Sequence, residues 1–161
     1  MTAIAYRGGY LAADAGVWDG SILSGLCRNK VRRLDDGRLF AGAGRGVDIV
    51  ACFQWLNTGA DPAQRPAAVE REVGFGALVV GEDGEVVRID RDMRPYAAAP
   101  AAFYALGCHY EFLLGALAAG ASARDAVALA CTFGDGAVGP VQVLHVKDKV
   151  QCSEEEPKWR D

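Results

Sequence analysis

The chain has 161 residues, 51% of them hydrophobic and 24% charged, and a formal net charge of -4; these values fit one compact domain able to bury its own core. The acidic balance, with no basic stripe, argues against a nucleic-acid partner, and no apolar run approaches the length of a membrane span. Five cysteines (Cys27, Cys52, Cys108, Cys131, Cys152) include no CxxC pair and no zinc spacing; with no signal-peptide pattern at the N-terminus, they predict reduced thiols and a cytoplasmic setting.

In chain order, TAIAYR and YLAADA flank Gly8-Gly9, a two-residue signal for a tight hairpin. Asn29 to Leu34 and Arg38 to Ala43 read as a second hairpin about Asp35-Asp36-Gly37. The glycine-rich AGAGRGVD leads into DIVACFQWLNTG, whose apolar spacing is helical and which stops at Asn57 to Gly59. Ala60 to Arg71 is a polar connector with two prolines, and GFGALVVGEDGEVVRID is a third hairpin about Asp83-Gly84. AAFYALG is a strand, followed by a helix over His109 to Ala119. Ser122 and Asp125 stand at capping-box spacing and start a helix to about Phe133. PVQVLHV alternates as a last strand, and residues 151–161 are a solvated tail after a single domain over 2–150. Strands, one helix, strands, two helices and a strand predict an α+β fold with helices on the outer faces of antiparallel sheets.

Three segments carry candidate chemistry, and each has a plain structural reading. GAGRGV between a strand and a helix has the look of a phosphate loop. It is not followed by the second half of a βαβ unit, which argues against dinucleotide binding; the same backbone N–H groups could serve a developing oxyanion. Asp14 closes an apolar strand, where a carboxylate is ordinarily a strand-end residue. Lys30 lies among Arg28, Arg32 and Arg33, the usual surroundings of a solvated face. With His109 and His145 as the two histidines, a histidine triad or metal cage has little to draw on, and neither a cofactor nor a metal is expected.

Taken together, Thr2, the Asp of LAAD, the Lys of NKVRRL and the Gly of AGAGRG resemble the proteasome β-subunit and HslV-like family of N-terminal nucleophile (Ntn) hydrolases. TFGDGAVG before the last strand is similar to a family segment with an Asp three residues before a Ser-Gly pair, which implies a role for Asp135 while Val138 replaces the Ser. The resemblance implies a four-layer αββα sandwich, here with a reduced helical layer, and threonine peptidase activity on polypeptides. It also implies a homo-oligomeric ring and an ATPase unfoldase as partner. Cys108 stands where the family has a Ser; it reads equally as a weak hydrogen-bond donor or a small core residue.

The residues fit those roles physically. In a hairpin turning at Gly8-Gly9, paired numbers sum to seventeen, so Asp14 faces Ala3, one step from Thr2. Removal of Met1 would leave a hydroxyl and an α-amine on one residue. An α-amine titrates at about 7.7–8.0 and a lysine near 10.4, so at neutral pH the amine can take a proton while Lys30 stays charged. Lys30 would ease ionisation of the hydroxyl, Asp14 would orient Lys30, and the Gly44 N–H, with that of Arg45 beside it, would hold the oxyanion. The resemblance also implies that Gly42 and Gly46 stand at positions lining the specificity pocket, where they have no side chains, and that Arg28 reaches into it. Cys108, Val138 and the shortened connector motivate a second reading, a catalytically inactive ring-forming or scaffold protein of the same fold.

Overall fold

The computed structural model describes residues 1–67 and 74–148, so the tail 151–161, with Cys152, lies outside the described residues. The chain opens with β1 (Ala3–Arg7) and β2 (Tyr10–Ala13), joined at Gly8-Gly9 with both φ angles positive, as a type I′ turn requires. Ile4 pairs with Ala13 and Tyr6 with Leu11, the expected sum of seventeen. A second hairpin, β3 (Gly16–Asp19) and β4 (Ile22–Leu26), forms a separate two-stranded sheet. The sequence reading passed over it, although its Asp19-Gly20 turn carries the same signal as Asp83-Gly84. All of β4 is exposed, so no buried alternation marked it.

Next come β5 (Val31–Arg33) and β6 (Leu39–Ala43), the predicted hairpin about Gly37. Helix α1 (Gly46–Asn57) follows as expected, and the connector after it contains a 3-10 turn at Pro62–Gln64. The hairpin β7 (Gly76–Val80) and β8 (Val86–Ile89) is joined by an edge strand the sequence reading left out, β9 (Pro95–Ala97). Proline is tolerated there because an edge strand need not donate on both sides. The order closes with β10 (Phe103–Gly107), α2 (Tyr110–Ala118), α3 (Ala123–Phe133) and β11 (Gln142–His145). Ser122 caps α3, its hydroxyl accepting from the Asp125 N–H at 3.1 Å.

Two antiparallel sheets, ordered β10-β1-β2-β11 and β5-β6-β7-β8-β9, stack face to face. Strand alternation sorts the side chains into three cores. Ile4, Tyr6 and Leu11 of the first sheet meet Leu39, Ala41 and Leu78 of the second between the sheets. On the outer face of the first sheet, Ala3, Ala5, Ala12 and Ala105 let Leu113 and Leu117 of α2 and Ala126, Val127 and Ala130 of α3 approach closely. On the outer face of the second, Phe40, Ala77 and Val79 pack on Cys52, Trp55 and Leu56 of α1. Burial raises the Cys52 thiol to about 12, which makes it an inert core group. The layers are therefore αββα, with α1 as the α-helix of its layer among the described residues. None of the described helices is long and apolar enough to cross a membrane.

Candidate active site

The N-terminal hairpin builds the site. Thr2 precedes β1 and is 9% exposed, while Asp14 follows β2 and is fully buried. Their strands are locked where they meet: the Asp14 N–H donates to the Ala3 carbonyl at 3.1 Å and the Ala3 N–H to Asp14 Oδ1 at 3.0 Å. Asp14 Oδ2 accepts from the N–H of Gly16 at 3.0 Å and of Val138 at 3.3 Å. Lys30 Nζ completes the set, 2.9 Å from Asp14 Oδ1. The buried carboxylate is thus met by three backbone donors and one cation, the partners that burial of such a group requires.

The same ammonium donates to Thr2 Oγ1 at 3.2 Å. Asp14, Lys30 and Thr2 thus form one chain of contacts, as the sequence reading placed them. Lys30 itself is fixed by a residue that reading missed: its N–H donates to Gln142 Oε1 at 2.8 Å, and Gln142 Nε2 donates to the Cys27 carbonyl at 2.6 Å. Gln142, on β11, staples the Cys27–Lys30 loop to the first sheet. The inward or outward alternation of PVQVLHV gives no sign of this, because the partners are main-chain atoms 112 and 115 residues away. Gln142→Leu should lower stability by about 1–3 kcal/mol by orphaning the Lys30 N–H, readable as a shifted urea midpoint.

On the other side of Thr2 lies the end of β10. The Cys108 N–H donates to the Thr2 carbonyl at 2.7 Å. The Cys108 thiol is raised above its usual range, chiefly by burial, with a further push from Asp14; the Thr2 backbone N–H, the chain's N-terminus and Lys30 oppose the shift. Cys108 is therefore a neutral thiol at pH 7 and a poor nucleophile. It faces the Thr2 nitrogen, so both the donor reading and the packing reading find a physical basis in its position.

Gly44 follows β6 and leads into α1 beside Thr2. It lines two cavities that meet at Met1, Thr2 and Gly44. The larger, about 610 Å³, runs past Lys30, Arg32, Gly42 and Gly46 towards Trp18. The smaller, about 460 Å³, is closed by Phe75, Gly107 and Cys108. Met1 is 45% exposed, and its side chain lies against Gly136. Asp135 is exposed, and its carbonyl, rather than its carboxylate, is engaged, accepting from His109 Nε2. Arg28 is exposed and is not among the lining residues; Arg32 takes the place expected for it. Arg32 lies within β5, whose alternation directs its side chain, whereas Arg28 lies in the loop before that strand.

No protein-family model matches the sequence, and no curated protein matches it. Solved structures do match. Eukaryotic HslV from Trypanosoma brucei superposes with a TM-score of 0.65 at 20% identity, over 90% of this chain and 99% of that one. The BPH protein of Thiobacillus denitrificans gives 0.61 at 18% identity, over 92% and 99% of the two chains. The same BPH in complex with epoxomicin gives 0.58 at 18% identity, over 91% and 99%. With the αββα layering and strand order described above, these likenesses establish that the chain has an HslV-like fold.

Proposed function

We propose that the protein is an N-terminal threonine peptidase that cleaves polypeptides once Thr2 is the first residue. The observation that carries this reading is Lys30 Nζ bridging Thr2 Oγ1 and Asp14 Oδ1 at 3.2 and 2.9 Å beside an open cleft. A hydroxyl held against a cation that is itself anchored by a buried carboxylate is poised to lose its proton.

The reaction follows from those atoms. Thr2 Oγ attacks the substrate carbonyl while the Thr2 α-amine takes the hydroxyl proton. The Gly44 N–H, with that of Arg45, stabilises the tetrahedral oxyanion. The α-amine then passes its proton to the departing amine, the C–N bond breaks, and an ester to Thr2 remains. A water molecule, deprotonated by the same amine, attacks the ester; the proton returns to Oγ and a carboxylic acid leaves. Lys30 keeps its charge throughout and disfavours a second positive charge on the amine. Cys108, facing the Thr2 nitrogen, would help aim the amine's lone pair. Asp135 would act from the far end of the same loop as Val138, by holding the segment that donates to Asp14.

Thr2→Ala should reduce hydrolysis of small fluorogenic peptides to background while the protein stays folded. Undiminished cleavage by that variant would exclude the reading. The inactive-scaffold alternative is favoured by Val138 and by the exposed Asp135 carboxylate; it predicts no cleavage by protein whose mass shows Thr2 at the terminus.

A homo-oligomeric ring, served by an ATPase unfoldase, extends the proposal. Leu113 and Leu117 of α2 are covered within the chain, but Tyr110 and Phe112 remain half exposed. Ile22 and Leu26 on the β3–β4 hairpin are 70% and 55% exposed, and apolar surface of this kind marks an interface. Light scattering should give a mass several times the 17.0 kDa of one chain; a value of one chain mass at micromolar concentration would contradict the ring.

A further inference from the structure

We propose that the larger cavity selects an acidic side chain on the residue whose carbonyl is attacked, and that Arg32 makes the selection. The orientation rests on Thr2 as nucleophile. The departing amine must collect its proton from the Thr2 nitrogen, and that nitrogen faces the Cys108 thiol. Cys108 lines the smaller cavity, whereas Lys30 and Arg32 line the larger. The leaving half of a substrate therefore lies towards Cys108, and the side chain of the acylating residue enters the larger cavity.

The charges in that cavity are unequal in their state. Lys30 is already neutralised by Asp14. Arg32 is held by two uncharged contacts: its Nε donates to the Asn29 carbonyl at 2.7 Å, and its Cζ lies 5.1 Å from the Phe53 ring centre. Phe53 is in turn braced edge-on against Phe40 at 5.5 Å. Arg32 forms no ion pair with a carboxylate among the described residues. A guanidinium fixed by its Nε and one face still offers its terminal N–H pair, the fork that fits a carboxylate bidentately.

Gly42 and Gly46 line the same cavity as Arg32 and put no side chain into it. A Cβ on Gly42 would press on Phe40 and Ile49 at 3.2–3.3 Å, and one on Gly46 would project into open space. Asp19 also lines the cavity but is exposed, where solvent and salt screen it. The net field favours an anion, and a volume of about 610 Å³ admits glutamate with room for an extended backbone.

The test uses fluorogenic peptides that differ only in the residue before the reporter: Glu, Gln, Leu or Lys. The wild-type chain should show kcat/KM for Glu about tenfold or more above its isostere Gln, with Lys the poorest. Arg32→Met should bring the Glu-to-Gln ratio to about one, and Arg32→Glu should move the preference towards Lys. A wild-type ratio of one or less, or a full ratio surviving in folded Arg32→Met, would overturn the assignment. If no peptide is cleaved, the peptidase reading fails separately. Calorimetry with the corresponding non-fluorogenic carboxamides then decides the inference: tighter binding of the Glu peptide to wild type than to Arg32→Met upholds it, and equal binding of Glu and Gln peptides overturns it.

Discussion

Lys30→Met is expected to abolish peptide hydrolysis and to unfold the protein at lower urea. The side chain is 10% exposed and its partner carboxylate fully buried. Methionine conserves much of the length but removes the charge, so Asp14 keeps its three backbone donors and loses its cation. Breaking a buried pair on one side costs about 3–5 kcal/mol; the N–H groups of Ala3, Gly16 and Val138 place this case at the lower end. The rate should fall by about 10²–10⁴-fold, the range for a group that assists proton transfer at the reacting atom. A matched Asp14→Asn variant should reproduce part of both effects, since Lys30 would then lack its anchor. Equal urea midpoints and equal rates for Lys30→Met and the parent would show that the contact to Thr2 Oγ1 carries nothing.

Gly107→Ala is the second large effect, and it acts through the backbone alone. Gly107 has φ +93, and a Cβ built on it would fall 1.9 Å from the Thr2 carbonyl oxygen. No rotamer can relieve that overlap, because both atoms are fixed to main chain. Either the Ala3–Gly107 pairing opens or Thr2 moves away from Lys30. Strain of this type costs about 1–3 kcal/mol, and a displacement near 1 Å at the reacting group costs about 10²-fold in rate. Circular dichroism should report a folded chain with a lowered melting temperature, and the peptide assay a deep loss. Full activity in Gly107→Ala would mean that Thr2 is not held where the β1–β10 register puts it.

Much of this site could be read from the chain because its logic is local. The Gly8-Gly9 turn fixes the β1–β2 register, and the register alone sets Asp14 opposite Ala3 and next to Thr2. Lys30 and Gly44 were assigned by resemblance; the turn residues and the helical apolar period mark only the elements that carry them. What escaped the reading depends on contacts the pattern does not encode. The β3–β4 hairpin is exposed on nearly every residue, so it lacks the alternation that marks a half-buried strand. Gln142 acts on main-chain atoms far away in sequence. Arg32 was passed over for Arg28, although Arg32 lies on the short strand Val31–Arg33 and Arg28 in the loop before it, whose side-chain direction no strand fixes. Asp135 was placed by resemblance, and its exposed carboxylate together with its engaged carbonyl points to a loop-holding part rather than direct contact with Thr2.

The central claim is that the Thr2 α-amine is the base for its own hydroxyl, and it is tested most directly by measuring peptidase rate against the fraction of chains lacking Met1. With Met1 attached, the Thr2 nitrogen is an amide, which is not basic at neutral pH and cannot accept the hydroxyl proton. Preparations enriched in either form, quantified by intact mass, should give rates proportional to the Met-free fraction and extrapolate to zero when every chain retains Met1. Equal specific rates from Met-retaining and Met-free protein would contradict the account.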